Sequence, residues 1–152
     1  MKRDQFSMTS VKLKKKGAVV AWEENGKDMS SNNKTEKAHP DLEQSLQKLV
    51  PLFKEIFHIK GNDNAVEVTG ISLFDVKESE RCIISAKFET DTLQWVGFPS
   101  GQLELDGEDY EAQKTLKEDL ETIIDEAYAY QFKKKHGGQQ ELELPETESE
   151  KE

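Results

Sequence analysis

The sequence predicts an α+β fold: an antiparallel sheet with two amphipathic helices on one face, in the order strands–helix–strands–helix, closed by a disordered acidic C-terminal tail. Three observations predict it. Short runs within residues 11–22 and 82–98 alternate apolar and polar side chains in the period of half-buried strands. Two longer stretches, 42–57 and 116–128, repeat apolar residues at helical spacing. The last fourteen residues carry six glutamates and one lysine, and so hold half of the net charge of −10.

The first strand is expected to start near Ser10, where Val11, Lys12, Leu13 and Lys14 alternate, and Gly17 breaks it. Residues 18–22 form a second strand, and Asn25-Gly26 is a hairpin turn signal. A third strand passes through residues 29–37. Pro40-Asp41 opens a helix, with Asp41 and Gln44 spaced as a capping box and Leu42, Leu46, Leu49, Val50, Phe53 and Phe57 on one face. Pro51 lacks an amide hydrogen and clashes with the preceding turn, so the helix should kink or break near Val50.

Residues 61–64 read as a loop, and residues 66–74 as a strand whose apolar parity changes at Gly70, the mark of a bulge. In the strand over residues 82–90, Ile84, Ala86 and Phe88 oppose Ser85, Lys87 and Glu89; residues 93–98 pair with it, and Pro99-Ser100-Gly101 turns into residues 102–105. The closing helix takes Asp106 as its cap, Leu116, Leu120, Ile123, Ile124, Ala127 and Tyr128 as its buried stripe, and Lys133, Lys134 and Lys135 at its C-terminal end, with Gly137-Gly138 as the stop. The resulting division is a flexible lead over 1–9, one domain over 10–137 and a disordered acidic tail over 138–152.

Several chemistries lack their residues. One cysteine, Cys82, in an apolar run, makes neither an internal disulfide nor a cysteine-rich zinc cluster, and it reads as a buried hydrophobe. His39, His58 and His136 lack metal-ligand spacing, and no nucleophile elbow or phosphate-binding glycine loop is present. The expectation is therefore a non-enzyme with no cofactor and no metal. No apolar run reaches the ~20 residues that span a bilayer, so no membrane partner and a cytoplasmic location are expected.

Binding is where the residues carry positive content. Residues 1–27 hold seven basic groups against three acidic ones. Lys12, Lys14 and Lys16 alternate onto one sheet face, Trp22 lies on the neighbouring strand, and Lys87 adds a further cation. Cations and an aromatic on a sheet neutralise phosphates and stack bases of single-stranded nucleic acid. The same lysines also protect a strand edge, and Trp22 also suits a core. In the tail, Gln139, Leu142 and Leu144 form a Gln-x-x-Leu-x-Leu pattern that resembles the short peptide by which bacterial and phage DNA-processing proteins dock on the sliding clamp, with Pro145 where an aromatic residue is often found.

Residues 68–72 (Val-Thr-Gly-Ile-Ser), residues 84–87 (Ile-Ser-Ala-Lys) and the final helix running into Gln-x-x-Leu-x-Leu resemble small bacteriophage and prophage proteins encoded near replication and recombination functions. That resemblance implies a non-enzymatic accessory role in DNA metabolism in a bacterial host cytoplasm and transfers no catalytic residue. The competing expectation is an acidic inhibitor or adaptor that binds a basic protein surface, which the net charge favours. Self-association as a homo-oligomer through an exposed sheet face is a third.

Overall fold

The computed structural model of the chain describes residues 1–90 and 92–137. Two antiparallel meanders, of three and four strands and each followed by helix, share one sheet. The first meander comprises β1 (Ser7–Lys14), β2 (Gly17–Glu24) and β3 (Lys27–Asn33); α1 (Pro40–Gln47) and α2 (Val50–Phe57) follow. The second comprises β4 (Val66–Val76), β5 (Ser79–Glu89), β6 (Trp95–Pro99) and the short β7 (Leu103–Glu104), with α3 (Leu116–Phe132) closing. Strand order is β3-β2-β1-β4-β5-β6, all described pairs are antiparallel, and β7 also pairs with β5. This is the α+β architecture expected from the two periodicities.

The helices lie against one face of the sheet. From the strands, Met8, Val11, Ala18, Val20, Trp22, Val68, Ile71, Cys82 and Ile84 meet Leu42, Leu46 and Phe53 of the first helical pair and Leu116, Leu120, Ile123 and Ala127 of α3 in one core. Pro51 acts as expected: the first helical stretch is broken, with α1 ending at Gln47 and Pro51 in the first turn of α2, where its missing amide hydrogen costs no bond.

The two meanders meet along a short seam. β1 and β4 pair only through Ser10–Ser72, Val11–Ile71 and Lys12–Gly70, and where this ladder stops β4 bulges against β5 between Val68 and Gly70, beside the expected parity change. Beyond the bulge, Val68 is left without a strand partner on that side. The Gln47 side-chain amide takes over, donating from Nε2 to the Val68 carbonyl (2.9 Å) and accepting the Val68 amide on Oε1 (3.1 Å). A buried backbone pair is thereby satisfied from the helix layer.

Five expectations are corrected. Residues 1–9 are not a flexible lead: Phe6 and Met8 are each 5% exposed, Phe6 stacks edge-on against Tyr128 and Phe132 at 5.6 Å, Arg3 Nε pairs with Asp125 at 2.6 Å, and the Tyr128 hydroxyl donates to the Met1 carbonyl. The aromatic end of α3 needs that cover. His39, rather than Asp41, caps α1, its Nδ1 accepting the Asp41 amide at 3.0 Å. Asp106 does not cap α3; the lead-in is a 3-10 turn whose Glu111 and Ala112 amides are held by the Glu55 carboxylate of α2, while Asp106 pairs with Lys117.

Residues 99–101 do not reverse the chain: β6 and β7 lie in sequence along β5, with Ser85–Pro99 and Cys82–Leu103 in register on either side of an irregular step. Finally, α3 stops at Phe132, Lys134 takes a left-handed conformation (φ 55°), and residues 135–137 fold back. Ala38 and His136 form a bridge, and the Gly137 amide donates to the Lys37 carbonyl at 2.8 Å. A Cβ on Gly137 would lie 2.7 Å from the Ala38 carbonyl oxygen, so this glycine serves close approach and not helix termination. The expected acidic tail over 138–152 lies outside the described residues. No helix among those described is long and apolar enough to cross a membrane.

Candidate nucleic-acid interface

Strand register sorts the candidate residues. The β1–β2 hairpin turns over Lys15 and Lys16, which pairs Lys14 with Gly17, Lys12 with Val19 and Val11 with Val20. Lys12 and Lys14 thus point away from the helices, on the open face, and both are exposed. Lys16 sits in the turn at the end of that face.

Trp22 is on the other side. It is 6% exposed, packs edge-on against Phe132 at 5.2 Å, and its indole nitrogen donates to Glu24. The expected stacking role for Trp22 is corrected on that ground: its ring belongs to the core, and no base can reach it. The tryptophan of the open face is Trp95 on β6, 45% exposed, with the Lys87 ammonium 5.4 Å from its ring centroid. Lys87 also faces Glu67 across the β4–β5 ladder at 3.7 Å, so its charge is partly neutralised. Lys87 is therefore removed from Lys12 by two strands, about 10 Å across the sheet.

What the structure assembles is a lysine recess at the end of the first meander. Lys14, Lys15, Lys16 and Lys34 line a depression of about 330 Å³ together with Asn32 and Asn33. Two local features build it. Gly17 allows β3 to close on β2, since a Cβ there would lie 1.8 Å from the Asn33 carbonyl oxygen. The Asn33 side chain then accepts the Thr35 and Glu36 amides at 3.0 and 2.9 Å, turning the chain so that Lys34 stands beside the hairpin. Among the described residues, none of these four lysines pairs with a carboxylate and none lines the recess with one.

A larger cleft, about 570 Å³, opens where β1 and β4 part, against α3. Its rim sets Glu23, Asp75, Glu80 and Glu121 against Arg81 and Lys117, and those two cations already pair with Glu104 and Asp106, so the balance is negative and disfavours phosphate. Size and chemistry point to different places, and for a polyanion the charge decides.

Sequence reasoning missed Lys15, Lys34, Asn32, Asn33 and Trp95. The hairpin was the available signal: a two-residue turn at Lys15 and Lys16 fixes which residues of β1 and β2 share a face. Lys34 joins through tertiary closure of β3.

The remaining titratable groups have structural places. Cys82 is fully buried on β5, and loss of water around the thiol pushes its pKa up to about 12. His39 caps α1, His58 ends α2 in a left-handed conformation (φ 53°), and His136 lies 3.2 Å from Glu36 and against the Tyr130 ring. Among the described residues no three His, Cys, Asp or Glu side chains come together as a metal site would require. Gln139, Leu142 and Leu144, proposed to engage a sliding clamp, lie outside the described residues. The sequence matches no protein-family model and no curated protein, and the fold matches no solved structure.

Proposed function

We propose that the protein is a non-enzymatic accessory factor of DNA metabolism that binds single-stranded nucleic acid by its backbone, through the lysine recess and the adjoining open sheet face. The observation that carries this reading is the recess itself: four lysines without carboxylate partners among the described residues, on a chain of net charge −10. Four exposed ammonium groups lining one depression concentrate positive charge that phosphates neutralise. Lys12 extends the positive track onto the sheet face, and the pair of Lys87 and Trp95 offers a stacking platform farther along it. The setting in DNA metabolism rests on the phage-protein resemblance of the second half of the chain.

If four lysines each displace counterions from a single strand, the slope of log affinity against log salt is about −2.8, so raising salt from about 50 to about 200 mM weakens binding ~50-fold. With Lys14→Gln and Lys16→Gln together, the slope falls to about −1.4 and the same change in salt costs only ~7-fold. Fluorescence anisotropy with single-stranded DNA, duplex DNA and RNA at the two salt levels measures this. No detectable single-strand binding at the lower salt defeats the proposal.

A second reading is favoured by the acidic cleft. Glu23 and Asp75 have no cationic partner among the described residues, and Met8, Leu73, Leu120 and Ile124 line the same cleft. An extended lysine- or arginine-bearing segment of a basic protein suits that chemistry. Asp75→Asn with Glu80→Gln would abolish such binding while leaving the nucleic-acid isotherm unchanged.

A further inference from the structure

The lysine recess lies beside the point from which the acidic tail departs. The chain past α3 is pinned to residues 37–38 by the Ala38–His136 bridge and the hydrogen bond from the Gly137 amide to the Lys37 carbonyl. Lys37 is three residues from Lys34 of the recess, a span of about 10 Å at most. Fifteen residues follow Gly137, and fully extended they reach about 50 Å. Six of the fifteen are glutamates and one is a lysine, whereas the recess presents four lysines and no carboxylate.

We infer that the recess is a docking site for the chain's own acidic C-terminal segment, which competes there with an external polyanion. Tethering makes the encounter intramolecular, at an effective concentration on the order of millimolar, so contacts individually weak across water suffice to populate it. The glutamates supply the carboxylates that the recess lacks within the described fold. Because the attraction runs between solvated groups, it is screened within about 10 Å at 0.1 M salt and fades above that. Docking of the segment needs only the recess; its effect on nucleic-acid affinity rests on the reading proposed above.

The test uses the full chain with every charge in place. A nitroxide attached through Ser149→Cys reports where the segment spends its time, and the buried Cys82 thiol stays unlabelled in the folded protein. At about 20 mM salt the label should broaden the amide resonances of residues 14–17 and 32–34 selectively, and at about 0.5 M salt that broadening should vanish. Uniform broadening, or none, overturns the inference. In parallel, changing all six tail glutamates to glutamine should raise affinity for a thymidine oligonucleotide roughly tenfold at low salt and leave it unchanged at high salt. Selective broadening with no oligonucleotide binding by either protein retains the docked segment and defeats the nucleic-acid reading. Oligonucleotide binding without selective broadening does the reverse.

Discussion

Replacing Gly70 by alanine tests the narrow seam that joins the two meanders. A Cβ at Gly70 would lie 2.6 Å from the Val11 carbonyl oxygen and 3.1 Å from the Lys12 Cα, both backbone atoms that no side-chain rotation can move. The strands must separate by several tenths of an ångström where only three residue pairs hold them. Overpacking of this kind costs about 1–3 kcal/mol, and the reduced freedom of the unfolded chain returns about 0.4–1 kcal/mol, so a net loss of about 1–2 kcal/mol is expected. In urea, with a slope near 2 kcal/mol per molar for a domain of this size, the midpoint should fall by about 0.5–1 M. Gly97→Ala on β6 is the internal control. There the nearest atoms stand at 3.7 and 3.8 Å, ordinary contact distances, so the entropic gain should stand alone and the midpoint should rise slightly. If the two variants shift the midpoint equally, or Gly70→Ala stabilises, the seam argument is wrong.

Two further outcomes follow from backbone and burial. The β4–β5 hairpin turns on Lys77 and Glu78 at φ 50° and 68°, whereas the β2–β3 hairpin uses Asn25 and Gly26 at 51° and 77°, so Glu78→Gly should stabilise the protein by about 0.5–1 kcal/mol in the same urea titration, and a loss of stability would contradict it. Cys82 has its pKa raised by burial from an unfolded value of 9.0 to about 12, so the unfolded state sheds this proton first: this group's contribution is intact below pH 9 and is lost as pH rises toward 12. Thiol labelling at pH 8 should then proceed only through opening of the fold, at a rate that climbs with urea; rapid labelling in native buffer would refute the burial.

The fold was legible because its two periods differ and its punctuation is local. Alternation at 84–88 and the helical stripe from Leu116 to Tyr128 are set by backbone geometry that the sequence repeats, and Pro51 breaks the first helical stretch by chemistry confined to one turn. The capping residues were not legible to the same degree. Glu55, and not Asp106, anchors the lead-in to α3, across 56 residues of sequence, and His39 takes a capping role through a ring nitrogen. The order of residues ranks local caps and is blind to a carboxylate delivered by a neighbouring helix.

The candidate site was half legible for a reason that lies in sheet register. Parity along β1 correctly places Lys12 and Lys14 on one face, but the phase between β1 and β2 depends on the turn that joins them. Two turn residues put Lys12 opposite Val19, so Ala21 shares the lysine face and Trp22 must point into the core. A turn longer or shorter by one residue would have carried Trp22 to the open face. The distinction between a base-stacking tryptophan and a core tryptophan therefore rests on Lys15 and Lys16. The same pair of residues adds two of the four charges to the recess, so the turn that removes Trp22 from the interface also concentrates the cations at its end. Single-strand binding at the proposed site should accordingly depend on phosphate far more than on base identity, and strands of different base sequence should bind with nearly equal affinity.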